Sequence, residues 1–168
     1  MEKNNLKKIL ELGCGQGRDT LFFASKGIEI TALDYSSVAI DRFIKRAKER
    51  NLLSNIHTSI FDARSNDTIP FYKDGFDVVY SHMFFNMRVL RGNGFNFFSV
   101  RNHNDKCFGK GMKIDNNDDV YDLNGFQIRF FTKQHVKTLV KGEGFEILDF
   151  REAYEEPVTL YLVSSRKT

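Results

Sequence analysis

Three glycines at alternate positions, Gly13, Gly15 and Gly17, follow the apolar run Ile9-Leu10-Glu11-Leu12 in this chain of 168 residues. Lacking a Cβ, such residues let the backbone turn tightly and come close to a ligand. A helix that begins directly after the turn offers free amides, which attract negative groups. This spacing alone suggests a nucleotide-like ligand. The dinucleotide fingerprint requires glycines as G-x-G-x-x-G, but Arg18 occupies the next position and the pattern is G-x-G-x-G behind Glu11, so NAD is disfavoured. Asp34 closes the following apolar run, where a carboxylate can accept hydrogen bonds from both hydroxyls of a ribose. It would repel a phosphate at the 2'-position.

The elements that must hold these groups can be read from periodicity. Residues 8–12 form a short apolar strand, and residues 18–26 a helix with Leu21, Phe22 and Ala24 along one face. Gly27 ends that helix, residues 28–33 alternate as a second strand, and Ser36 or Ser37 caps a helix reaching Arg50. In that helix Ala39, Ile40, Phe43, Ile44 and Ala47 recur at three- and four-residue intervals. Residues 55–61 give a third strand ending at Asp62, residues 77–80 a fourth, and residues 93–100 a fifth. Residues 101–125 are polar and without period, a length usually functional or unstructured, and residues 126–131 are extended. Thr132 caps a helix through Lys141, and residues 145–150 and 158–164 are closing strands joined by an acidic turn over 152–157. Strands alternating with helices specify an α/β fold of one domain spanning 1–168: a doubly wound, mostly parallel sheet with helices on both faces and an antiparallel strand near the C-terminus. Ligands of such sheets sit at the carboxyl ends of the strands. One connection is short: residues 82–94 barely hold the crossover that parallel strands need, so a missing stretch of chain is expected at the Met87-Arg88 junction.

Four segments in order carry a likeness to a known family. They are Glu11-Leu12-Gly13-Cys14-Gly15-Gln16-Gly17, Leu33-Asp34-Tyr35-Ser36, Phe61-Asp62-Ala63 and Phe76-Asp77-Val78-Val79-Tyr80-Ser81-His82. With them the chain resembles the class I, Rossmann-like methyltransferases that use S-adenosylmethionine (SAM). Gly13-Cys14-Gly15-Gln16-Gly17-Arg18-Asp19 is especially similar to small-molecule methyltransferases of the tellurite-resistance type. The likeness covers residues 9–99 and is looser beyond Val100. It implies SAM as cofactor, with Gly13, Gly15 and Gly17 along its methionine portion and Glu11 and Cys14 in the same motif. It further implies Asp34 on the ribose, Tyr35 beside the adenine, Asp62 at adenine N6 with Ala63 in the same corner, and the main chain near Ser81 facing the methionine amine. Arg18 either pairs with the methionine carboxylate or faces solvent.

Methyl transfer from a sulfonium is an in-line displacement, so the protein mainly positions the acceptor and excludes water, adding a base where the nucleophile carries a proton. His82 is the first candidate for contact with the acceptor; the alternative is that it caps the strand end. Arg101 and His103 leave the fifth strand in a polar segment that fits either a substrate site or an exposed loop. Asp105 is a weaker candidate, and Tyr121 and Arg129 are possible pocket or lid residues. Phe84 and Phe85 are read as core, His57 and His135 as surface or structural, and Glu155-Glu156 as a solvated turn. Relatives that methylate base amines carry an Asn/Asp-Pro-Pro-aromatic motif, which Ser81-His82-Met83-Phe84 does not match. Cys107 follows Lys106 rather than a proline, against carbon methylation through a thiolate.

Bulk properties narrow the function further. A hydrophobic content of 41% supports one compact core. The net charge of +3 is dispersed, and the basic residues of 45–50 are interspersed with acids, so a nucleic-acid partner is disfavoured. No apolar run reaches the roughly 20 residues of a membrane span, and a cytoplasmic protein is expected. Cys14 and Cys107 form neither a zinc pattern nor a disulfide framework, so no metal is expected. The expected acceptor is a small molecule, namely a metabolite, thiol or oxyanion; the rivals are an RNA or protein methyltransferase and a non-catalytic SAM-binding domain. The leader before Glu11 is short against relatives with N-terminal helices over the cofactor, which leaves residues 101–125 or a partner chain to close the site. The oligomeric state is open.

Overall fold

The computed structural model describes residues 7–62, 69, 75–83, 90–115 and 119–168. In chain order the elements are β1 (Lys8–Leu12), α1 (Arg18–Ser25), β2 (Glu29–Asp34), α2 (Ser37–Glu49), β3 (Ile56–Ile60), β4 (Phe76–Ser81) and β5 (Leu90–Arg101). They continue with β6 (Met112–Asp115), β7 (Val120–Leu123), β8 (Phe126–Arg129), α3 (Lys133–Gly142), β9 (Phe145–Glu155) and β10 (Val158–Lys167). Seven strands form one sheet in the order β3-β2-β1-β4-β5-β10-β9. β1 pairs in parallel with β2 and β4, β2 with β3, and β4 with β5, while β10 runs antiparallel to both β5 and β9. The strand order reverses between β1 and β4, and that switch point opens a crevice at their carboxyl ends.

Alternation along the strands feeds two cores. Leu10, Leu12, Leu33 and Val79 pack with Val136 and Val140 of α3 on one face. Ile9, Ile30, Ala32 and Val78 pack with Leu21 and Ala24 of α1 and Ile40, Phe43 and Ala47 of α2 on the other. Burial on both sides of β1 leaves Ile9 through Leu12 inaccessible, as befits a central parallel strand. Ser36 Oγ accepts from the Ala39 amide at 3.2 Å and Thr132 Oγ1 from the His135 amide at 3.0 Å, the N-caps expected of those residue types.

The stretch 101–125 departs from its unpatterned appearance. β6 and β7 lie within it and join β8 in a separate three-stranded antiparallel sheet. Its nucleus is a set of edge-to-face rings, Phe108, Tyr121 and Phe130, which are too scattered in sequence to make a period. Gly111, at φ 81°, packs where a Cβ would collide with the Asp122 carbonyl. A parallel bridge between Asn102 and Phe131, and the Phe131 amide donating to the Arg101 carbonyl at 2.9 Å, fasten this sheet to the carboxyl end of β5. Residues 82–89 connect β4 to β5; the Met87-Arg88 junction, Phe84 and Phe85 lie outside the described residues, as does Ala63. Among the described residues, no helix is long and apolar enough to cross a membrane.

Candidate active site

The three glycines take left-handed angles, with φ of 73°, 53° and 74° at Gly13, Gly15 and Gly17. At Gly17 a Cβ would be built into the ring of the buried Phe43, so glycine is demanded there by the core. At Gly13 and Gly15 a Cβ would meet nothing within 4 Å, so these two shape the free side of the turn. The amides of Gly13 and Cys14 donate to the Leu33 carbonyl at 2.8 and 3.1 Å, tying the turn to the end of β2. The Gly15 amide donates to Asp34 Oδ2 at 2.7 Å, and the Ser36 amide to Oδ1 at 2.9 Å. Each carboxylate oxygen has further acceptor capacity. Tyr35 and Ile60, both largely exposed, stand at the carboxyl ends of the neighbouring strands β2 and β3, with the half-buried Asp62 just beyond.

Glu11 and Cys14 sit beneath the turn. Burial, with Asp19 and Asp34 adding repulsion, pushes the Glu11 carboxyl up to about 8, although Thr20 Oγ1 donates to it. Burial likewise pushes the Cys14 thiol far up, which removes it as a nucleophile and agrees with a small turn residue.

A polar network spans the switch point. Arg18 Nε and Nη2 donate to Asp19 at 2.9 and 3.3 Å, and Nη1 donates to Glu155 Oε1 at 3.2 Å. Tyr80 OH donates to Asp19 Oδ2 at 2.8 Å. Burial works to raise Asp19, but the Arg18 and Tyr80 donors outweigh it and hold the carboxyl below its ordinary value. His82 Nδ1 lies 3.0 Å from Ser99 Oγ, and its Nε2 lies 3.6 Å from Glu155 Oε2. Ser99 Oγ also accepts from the Met83 amide at 2.8 Å. The imidazole is therefore held at Nδ1 by Ser99 at the end of β4, with the Glu155 carboxylate beyond hydrogen-bond distance of Nε2.

A cleft of about 450 Å³ joins these groups, bounded by Glu11, Gly13 and Cys14 on one side, Arg18, His82 and Arg101 across it, and the β9–β10 turn. Glu155 to Val158 supply that last wall, so the C-terminal hairpin flanks the site; Glu155 is no mere solvated turn. Glu155 carried no signal in sequence, and Asp19 none beyond its place in the glycine motif, because both gain their meaning from contacts across the sheet. His82 and Arg101 both line this cleft. His103 does not line this cleft: its Nε2 is 2.8 Å from Asp119 and its ring stacks on Phe108 with centroids 4.1 Å apart, within the small sheet's packing. Asp105 is structural, accepting from the amides of Cys107 and Thr159 at 2.8 and 3.0 Å. Tyr121 is buried among the rings, whereas Arg129 lines a neighbouring cleft. His57 Nε2 lies 3.8 Å from Glu29, and the His135 ring lies near Phe131.

The model of the methyltransferase domain matches residues 9–93, half of the chain. The chain belongs to this family, in its S-adenosylmethionine-dependent, Rossmann-like class. Among curated proteins it is similar to TehB of Haemophilus influenzae, described as a probable S-adenosyl-L-methionine-dependent methyltransferase, at 40% identity over 55 residues. That match spans 33% of this chain and 18% of TehB. Among solved structures, a SAM-dependent methyltransferase from Methanosarcina mazei superposes with a TM-score of 0.80 at 21% identity, over 98% of this chain and 93% of that one. The glycopeptide N-methyltransferase MtfA in complex with SAM gives 0.66 at 16% identity, over 96% and 87%. At such identities the superpositions speak to fold alone.

The residues present fit SAM. Asp34 has acceptor capacity for ribose hydroxyls, Gly13 and Gly15 leave their side of the turn open, and Arg18 has engaged three of its five N–H donors, which leaves two. Among the described residues there is no cluster of three His, Cys, Asp or Glu side chains that could hold a metal ion.

Proposed function

We propose that this chain transfers a methyl group to a small molecule, a metabolite, thiol or oxyanion, rather than to RNA or protein. The supporting observation is that His82 and Arg101 face the glycine turn across a cleft of about 450 Å³, the part of it beyond the cofactor being left for an acceptor of small size. When bound, SAM supplies an electrophilic methyl on a sulfonium. Asp34 would hold the ribose, the turn from Gly13 to Gly17 would receive the methionine portion above Glu11 and Cys14, and Tyr35 and Asp62 would stand beside the adenine. The main chain at Ser81 would serve the methionine amine, and the remaining Arg18 donors its carboxylate.

His82 would take the proton of an acceptor O–H, N–H or S–H, leaving the acceptor atom with the lone pair that methyl transfer needs. Ser99 orients the ring at Nδ1 and Glu155 balances the charge that develops on it. An acceptor already deprotonated needs no such step. Arg101 orients the acceptor from the opposite wall, while His103 serves the small sheet. Two free thiols, Cys14 and Cys107, suit a reducing, cytoplasmic setting.

The test is transfer of isotopically labelled methyl from SAM across a panel of thiols, small amines, oxyanions and RNA. Label in a small molecule supports the proposal; label in RNA alone, or SAM binding without turnover of any acceptor, contradicts it.

A further inference from the structure

Arg18 stands in the first turn of α1 with most of its side chain exposed, yet its guanidinium is tied on two sides. Nε and Nη2 donate side-on to the two oxygens of Asp19, at 2.9 and 3.3 Å, and Nη1 donates to Glu155 at 3.2 Å. Of the five N–H groups, one on Nη1 and one on Nη2 are left over, so both terminal nitrogens can still meet a second carboxylate. Adjacent residues of a helix do not ordinarily face each other. Here the acid is itself held in place. Tyr80 OH, from β4, donates to Asp19 Oδ2 at 2.8 Å, and burial together with the Asp19 charge pushes the phenol well above its ordinary range, so that it remains a donor. The Tyr80 ring meets Phe23 of α1 edge to face, with centroids 5.3 Å apart, and Tyr80 lies opposite Glu11 in the β1–β4 pairing. The chain of contacts from Tyr80 through Asp19 to Arg18 therefore starts in the centre of the sheet.

An exposed arginine has many rotamers, and ordering them on binding costs affinity. A guanidinium oriented by a carboxylate that is itself bonded to the sheet has lost that freedom beforehand. We infer that Asp19 and Tyr80 are positioning residues for the cofactor: Tyr80 fixes Asp19, and Asp19 turns Arg18 so that its two remaining N–H groups face the methionine carboxylate. In this role both act through Arg18. The inference rests on the Arg18 contact proposed above and names the residues that preorganise it.

The test compares S-adenosylhomocysteine with 5'-methylthioadenosine by titration calorimetry on the full chain. The two ligands share the adenosine and the thioether and differ in the amino-acid portion, so wild type should bind the first more tightly. Tyr80→Phe and Asp19→Glu leave the net charge unchanged, and each should lower that preference roughly ten-fold, the scale of one charged hydrogen bond, while affinity for 5'-methylthioadenosine holds. In an Arg18→Gln background, where the preference is already lost, Tyr80→Phe should change nothing further, as a double-mutant cycle requires of a residue that acts through another. A preference unchanged by Tyr80→Phe and Asp19→Glu, equal losses for both ligands, or a Tyr80→Phe effect that persists without Arg18 would overturn the inference. As long as Arg18→Gln still lowers the preference, those outcomes leave the Arg18 contact standing. A preference that Arg18→Gln does not lower would sink the contact itself.

Discussion

Arg18 and Glu155 meet across the mouth of the cleft, Nη1 to Oε1 at 3.2 Å, joining the first turn of α1 to the last residue of β9. The second Glu155 oxygen faces His82 at 3.6 Å, so one carboxylate links the hairpin, the helix and the end of β4. The two side chains are 64% and 45% exposed, and such pairs add no more than about 1 kcal/mol to stability. Their value is positional. Glu155→Gln should leave the melting temperature within a few degrees while lowering kcat/KM for methyl transfer about ten-fold. Parallel calorimetry and steady-state kinetics would check this, and an unchanged kcat/KM would remove Glu155 from the site.

Asp34 joins the glycine turn to the proposed ribose contact. Asp34→Asn places an amide where the Gly15 and Ser36 N–H groups now find an anion. With charged hydrogen bonds contributing roughly 1.5 to 3 kcal/mol each, SAM affinity should fall by about 10- to 100-fold. Titration calorimetry of wild type and variant reads this directly.

The left half of the sheet was legible because its code is local. Alternating apolar residues, Gly27 as a stop and Ser36 as a cap marked β1 through β3 with helix ends within a residue or two. The turn and Asp34 were legible for the same reason, as backbone freedom and a strand end are written in a few adjacent residues. The three-stranded insert was not, since Phe108, Tyr121 and Phe130 find one another only in three dimensions. Glu155 was missed because two neighbouring acids before a proline look alike whether they face water or Arg18. His103 is a candidate by its proximity in sequence to Arg101, but the turn after β5 carries it to Asp119 and not to the lining of the cleft.

Gly17 should tolerate nothing larger. Gly17→Ala sets a Cβ into Phe43 at a left-handed φ of 74°. The left-handed angle alone costs about 1–2 kcal/mol, and overpacking about 1–3 more. Denaturant unfolding should show a loss in that range, and adding Phe43→Leu should recover part of the packing component. A neutral Gly17→Ala would contradict the packing described.

Glu11 makes stability depend on pH. Its carboxyl is raised from 4.5 to about 8 in the fold, so the folded state holds a proton that the unfolded chain has released. Stability from this group is fully present below about pH 4.5 and is lost as pH rises toward about 8. Glu11→Gln keeps an acceptor for Thr20 and should flatten that decline. Melting curves taken from pH 5 to 8.5 on both proteins would show it, and parallel pH profiles would count against the buried proton.

The most direct measurement is calorimetry of the chain against SAM and NAD under the same conditions. A saturable SAM isotherm at one site per chain, weakened by Asp34→Asn, with no NAD signal, is the predicted result. Tight NAD binding with no response to SAM would contradict it.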